Sequence, residues 1–174
     1  MYRFGLKIYK GENMSNDIVY IPANTGPAYW VMGDLFTYLV TGEQSGGSYF
    51  SLEVIVGPDK GPPPHVHHLE EELFYIVDGE LTFKVGGQTL DVSTGDFIHI
   101  PRETVHSFKN GPRPAKLFST FSPAGIEHFF QEVGDTVTDR SAPPPPVTAE
   151  TIARFVAAEA RGWKDHHETL PPKP

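Results

Sequence analysis

His65, His67, Glu72 and His106 supply three imidazoles and one carboxylate, a donor set that suits a divalent transition metal. Histidines one residue apart reach a common target when the backbone is extended, because strand side chains repeat every second residue. His65-Val66-His67 therefore reads as two ligands on one face of a strand. Glu72 follows His67 by five residues, the wrong parity for one continuous strand. A four-residue loop over 68–71 closes a hairpin that sets His67 opposite Glu72, and directly opposed residues of an antiparallel pair share a face. Fe, Mn, Co, Ni, Cu or Zn each suit such a set, with one or two positions left for water or substrate, and the spacing does not choose among them.

Extended segments must position these ligands. The pattern predicts strands over 17–21, 28–40, 49–56, 73–77, 81–85, 89–92, 97–100, 105–109 and 116–121. Phe50, Leu52, Val54 and Val56 alternate onto one face, and Ser51, Glu53 and Ile55 take the other. Turn signals separate the runs at 42–48, Asp78-Gly79, Gly86-Gly87, Gly95 and Gly111-Pro112. Many short strands with regular turns indicate an all-β sandwich or barrel. Two helices are expected to follow. Ser122-Pro123 offers a cap and first-turn proline, and Ile126, Phe129, Phe130 and Val133 then recur at helical spacing before Gly134. A second helix is expected over 148–161, with Ile152, Phe155 and Val156 as its apolar positions. The expected division is a barrel over 1–135, a proline-rich linker over 136–147, and a C-terminal helix with a polar tail over 148–174. Met14 is an alternative start.

Composition narrows the function classes. A chain of 174 residues with 39% hydrophobic and 21% charged residues fits one soluble domain. The formal charge of −8 disfavours a nucleic-acid partner. No apolar run reaches the roughly 18 residues of a membrane span, and no secretory leader is visible. Without cysteine, the chain has neither disulfides nor thiolate metal ligands. A cytoplasmic location is expected.

In order along the chain stand Gly61, Pro62-Pro63-Pro64, His65-Val66-His67, Glu72 and, six residues on, Gly79. A second group follows: Gly95, five residues, Pro101, then His106 and Asn110. These resemble the two motifs of the cupin superfamily, and the spacing to Gly79 selects Glu72 over Glu70 and Glu71. Glu103 stands where the family usually has glycine, which argues against a positive-φ turn there. The motifs span 61–110, and only residues 80–94 lie between them. The resemblance implies a double-stranded β-helix (jelly roll) with one divalent metal in its lumen, held by His65, His67, Glu72 and His106. Within the superfamily the chain is most similar to small cupins of the quercetin-dioxygenase group. That likeness implies a metal-dependent oxygenase acting on a small organic molecule, with Glu72 taking a proton. The same fold also hosts isomerases and lyases that use the metal as a Lewis acid, and small-molecule binders without catalysis. Small cupins commonly dimerise. The apolar run 28–40, with Tyr29, Trp30, Val31 and Met32, needs a partner on its outer side, so a homodimer is expected.

Other polar residues have simpler readings. His68, His128 and His166-His167 read as surface groups, and alternation leaves the face of His99 open. Glu70, Glu71 and Glu103 read as solvated charges or as an acidic rim to the barrel mouth. Phe50, Phe74 and Phe83 read as barrel core on strands that line the lumen.

Overall fold

The computed structural model of the protein describes residues 18–161. Its strands in chain order are β1 Ala28–Val31, β2 Asp34–Val40, β3 Phe50–Val56, β4 Glu71–Asp78, β5 Glu80–Val85, β6 Gln88–Ser93, β7 Phe97–Ile100, β8 His106–Asn110, β9 Ala115–Ser122 and β10 Asp135–Thr136. Helix α1 spans Glu127–Val133 and α2 spans Ala149–Arg161. The strands form two antiparallel sheets, a larger one ordered β10-β1-β2-β3-β9-β4-β7 and a smaller one ordered β6-β5-β8. This is the all-β architecture expected from the strand pattern, and it takes the jelly-roll form that the cupin resemblance implies. No helix among the described residues is long and apolar enough to cross a membrane.

Period-two alternation builds the core. Phe50, Leu52, Val54 and Val56 are all buried, as their alternation requires, and they share one core with Phe74, Ile76, Ile100 and Leu117 of the same sheet and Leu81 and Phe83 of the smaller one. Each such side chain taken fully out of water contributes about 1.5–3 kcal/mol relative to exposure. Phe74, Phe83 and Phe108 form one aromatic group, with ring centroids 5.1–5.8 Å apart.

The run over 28–40 is not one strand. Met32 (φ 50°) and Gly33 (φ 83°) turn the chain back between β1 and β2. Two positive φ values in a two-residue loop match the right-handed twist of the flanking strands. The outer edge of β1 is already taken, since Tyr29 pairs with Thr136 and Trp30 with Asp135. Ile18 to Ile21 form no strand, contrary to the expectation over 17–21, and Ile18 and Tyr20 are largely exposed. The chain turns immediately afterwards, where the Thr25 N–H donates to the Pro22 carbonyl, and proline has no N–H for a sheet ladder. Asp17, Met14, Gly162, His166-His167 and the expected polar tail lie outside the described residues.

Both helices exist; the start of α1 and the docked face of α2 differ from the expectation, while the apolar face expected of α1 is buried. Ile126, not Ser122, is the N-cap of α1, and no side chain caps it. The Ser122 hydroxyl instead donates to the Ser48 carbonyl, 3.0 Å away. Phe129, Phe130 and Val133 are buried, and the Phe130 ring meets Phe36, Phe50 and Phe121. Helix α2 lies on α1 through Phe155, whose ring centroid is 5.3 Å from that of Phe129, and through buried Ala158. Ile152 and Val156, expected on this face, are 46% and 54% exposed. The docked row is instead Thr151, Arg154, Phe155 and Ala158, which recurs at helical spacing. That rotation lets Arg154 donate to the Val133 carbonyl ending α1 (2.9 Å) and to Asp135 (2.8 Å).

Asp34 provides a test of the β1–β2 hairpin. Its Oδ1 accepts the Gly57 N–H at 2.9 Å and lies 4.0 Å from Lys60 Nζ. Burial pushes the Asp34 carboxyl up to about 6, against the lowering effect of Gly57 and Lys60. A raised folded-state pKa means a contribution that is complete below the unfolded value and lost as pH rises through 6. Asp34→Asn keeps the acceptor for Gly57 without a buried charge. Its stability to urea should match wild type near pH 4 and exceed it by on the order of 1–2 kcal/mol above pH 7. A less stable variant at pH 7.5 would show that pairing with Lys60 outweighs desolvation.

Candidate metal centre

The loop from β3 to β4 delivers His65 and His67. Gly61 passes so close under β8 that an added Cβ would lie 1.9 Å from the Phe108 carbonyl oxygen, and its φ of 150° is a glycine conformation. Lys60 donates its N–H to buried Asn110 Oδ1 at 2.9 Å, which ties this loop to the end of β8. Three prolines then stiffen the approach to His65.

His65 and His106 face each other as an isolated antiparallel bridge, exchanging two backbone N–H···O bonds of 2.9 Å. Opposed residues share a face, so both imidazoles point inward, and His67 follows by alternation. The expected pairing of His67 with Glu72 does not form. Glu72 pairs with Ile100 on one side and Phe121 on the other, deep in the larger sheet. The chain over 68–70 leads into β4 of the larger sheet instead of closing a hairpin. The parity rule was right and its partner wrong: the three histidines belong to the smaller-sheet side, and Glu72 faces them across the lumen.

One ligand atom from each of His65, His67, Glu72 and His106 lies within 4.8 Å of all the others. His67, Glu72 and His106 are buried, and His65 is half-buried. His65 Nδ1 is 2.9 Å from the Pro63 carbonyl, and His106 Nδ1 is 2.9 Å from that of Thr104. A carbonyl only accepts, so these contacts assign the proton to Nδ1 and leave an Nε2 lone pair when the ring is neutral. His106 Nε2 is 3.1 Å and His67 Nε2 3.4 Å from Glu72 Oε2. The neutral His106 Nε2 and the Glu72 oxygen it faces are both acceptors, so a cation, either a proton or a metal, must stand between them. The donor set therefore fits a transition-metal ion.

Electrostatics agree with this geometry. Burial, reinforced by the neighbouring His106, lowers the His65 imidazolium to about 4, so this ring is neutral at pH 7. For Glu72, burial acts upward, but the bonds from His106 and His67 outweigh it and hold the carboxyl at about 2. Burial also opposes a charge on His106, yet its bond to Glu72 prevails and raises its pKa.

The remaining polar residues separate clearly. His99 points outward to Glu71 at 3.1 Å, and Arg102 joins the same carboxylate at 3.1 Å. His68 is exposed and bonded to Glu103 at 2.9 Å; His128 is exposed on α1. Glu71 and Glu103 are each bonded to neighbouring side chains, so neither is a free solvated carboxylate. Glu70 is 1% exposed and is not a solvated charge. Glu103 keeps the positive-φ turn at φ 64°, contrary to expectation. Its N–H donates to the His67 carbonyl at 2.8 Å, so the strained residue anchors a ligand-bearing segment. Sequence reading missed Ser119, whose buried hydroxyl donates to Glu72 Oε1 at 3.2 Å. The available signal was a lone polar residue in the inward row Ala115, Leu117, Ser119, Phe121 of β9. The Phe121 ring stands edge-on to His67, with centroids 5.4 Å apart.

Comparison with known proteins places this site in a family context. Residues 52–121 match the cupin domain family. The quercetin 2,3-dioxygenase of Bacillus subtilis is 31% identical over 105 residues, covering 59% of this chain and 31% of that protein. The enzyme of the same name from Aspergillus japonicus is 30% identical over 118 residues, covering 63% of this chain and 33% of its own length. The matched segment thus spans about a third of the length of these curated relatives. Among solved structures, a Thermotoga maritima protein described as a predicted oxalate decarboxylase superposes with a TM-score of 0.55 at 19% identity, covering 61% of this chain and 99% of that one. At that identity the likeness concerns the fold.

Proposed function

The chain carries a cupin domain over residues 52–121, and we propose that it is a metal-dependent oxygenase resembling quercetin 2,3-dioxygenase, acting on a small organic molecule in the lumen. The observation that carries the metal part is the convergence of one ligand atom from each of His65, His67, Glu72 and His106 to within 4.8 Å of one another. The two quercetin dioxygenases support the choice of reaction. His65, His67, Glu72 and His106 would hold one divalent ion, which supplies a Lewis acid that makes a hydroxyl placed against it easier to ionise. Glu72 is the acceptor for that proton: its carboxyl, held at about 2, is ionised at neutral pH. The aromatic side chains Phe121, Phe50 and Phe130 keep the neighbourhood of His67 apolar.

Oxygen consumption tests the reaction. Metal-loaded protein given a flavonol, or another enolisable diketone-like compound, should take up oxygen in step with substrate loss. Turnover that persists under strict anaerobiosis would replace the oxygenase reading with an isomerase or lyase. Saturable binding without any turnover would leave a small-molecule binder.

The working unit in this proposal is a cytoplasmic homodimer. The 28–40 run does not supply the reason, since Ala28 and Val31 are buried and β10 covers the edge. Support comes from the outer face of the larger sheet. Phe97, Tyr75 and Phe118 stand directly opposed on β7, β4 and β9 and are 60%, 45% and 38% exposed, an aromatic row that a second copy would cover. Light scattering at micromolar concentration should give twice the 19.3 kDa chain mass. A mass of one chain that persists across concentrations excludes the dimer.

A further inference from the structure

We infer that Ser119 is a positioning residue that confines Glu72 to a single coordinating oxygen; this rests on the metal reading above. Ser119 is 1% exposed and lies in register between Leu52 on β3 and Phe74 on β4. Its neighbours along the inward row of β9 are Leu117 and Phe121. A hydroxyl in such an apolar layer is costly unless bonded, and its partner is Glu72 Oε1 at 3.2 Å. The other oxygen, Oε2, faces His106 and His67 at 3.1 and 3.4 Å. The carboxylate is thus divided, one oxygen for the serine and one for the imidazole cluster.

The terminal torsion of a glutamate is broad and weakly restrained by itself. Without the hydroxyl the Glu72 carboxylate can turn and present both oxygens inward, or withdraw from the cluster. Partners behind metal ligands commonly change affinity by about 10–100-fold. A serine that holds a ligand from behind therefore controls both how tightly an ion is held and how many of its positions remain for other groups.

Cobalt(II) loading reads both properties without turnover. Wild type, Ser119→Ala and Ser119→Thr would be titrated with Co(II), with the visible spectrum recorded at saturation. The alanine variant should bind about 10–100-fold more weakly and show a changed saturated spectrum, and the threonine variant, which keeps the hydroxyl, should retain the wild-type spectrum. A merely structural role would weaken binding but leave the saturated spectrum unaltered, and that result overturns the inference. A threonine spectrum that shifts like that of alanine also overturns it. Failure of the wild type itself to take up Co(II) is a different result: it removes the metal reading, and this inference with it.

Discussion

Replacing His106 with alanine should abolish most of the metal-dependent rise in melting temperature. Wild-type protein, purified without chelators or nickel resin, should carry close to one equivalent of transition metal per chain by elemental analysis. An ion at a hundredfold excess over its Kd stabilises the native state by about 2.7 kcal/mol, which for a chain of this size corresponds to roughly 5–10 °C. His106 is 2% exposed and bridges both His65 and Glu72, so its loss removes a ligand and leaves the Glu72 charge with only His67 and the Ser119 hydroxyl. The pH dependence follows from the same contacts. Glu72, lowered to about 2, contributes stability above its ordinary 4.5 that is lost as pH falls through 2. His106, raised above 6.5, contributes below that value and loses its contribution as pH rises through the folded-state pKa. An ion must displace the His106 proton, whereas His65, lowered to about 4, offers none at neutral pH. The increment in melting temperature should thus be large near pH 8, shrink through pH 6.5 and nearly vanish by pH 5. An increment in His106→Ala equal to wild type would remove His106 from the site.

Gly61→Ala should be the most damaging single-methyl change in the loop before the ligands. The new Cβ would meet the Phe108 carbonyl oxygen at 1.9 Å, and the backbone φ of 150° adds strain for any side chain. Neither partner is a flexible side-chain end, so the loop or β8 must move. The expected cost is about 2–4 kcal/mol in denaturant unfolding. Because the displaced segment leads directly to His65, metal affinity should fall as well. Wild-type affinity in a destabilised variant would show that the Pro62-Pro63-Pro64 segment sets the position of His65 independently of Gly61.

Much of this site was legible because it obeys spacing. Alternation puts His65 and His67 on one face, and the resemblance to the two cupin motifs points to Glu72, six residues before Gly79, and to His106; these four converge. What spacing could not supply was which strands lie side by side. Register between distant segments depends on tertiary packing, so His67 was assigned to Glu72 when the backbone partner of the segment is His106, some forty residues away. The β1–β2 hairpin was obscured because Met32, at positive φ, is an unfavourable turn former. Glu103 escaped for the same reason: its tolerance of positive φ depends on contacts to His67 and His68 that no local pattern reveals. On α2, hydrophobicity alone identifies Phe155 but not the rest of the docked row, which includes Arg154 bonded to the Val133 carbonyl at the end of α1.

The three histidines and the carboxylate belong to opposite walls of the jelly roll, and the two sheets share no strand. An ion seated among these four groups would act as a rivet through both walls. The walls could then no longer part without first ejecting it, so the ion should retard unfolding itself and not only shift the equilibrium. Hydrogen exchange would register this as a joint slowing of amides in β4 and β8 upon metal addition, while the amides of α2, which carries none of the four groups, keep their rates.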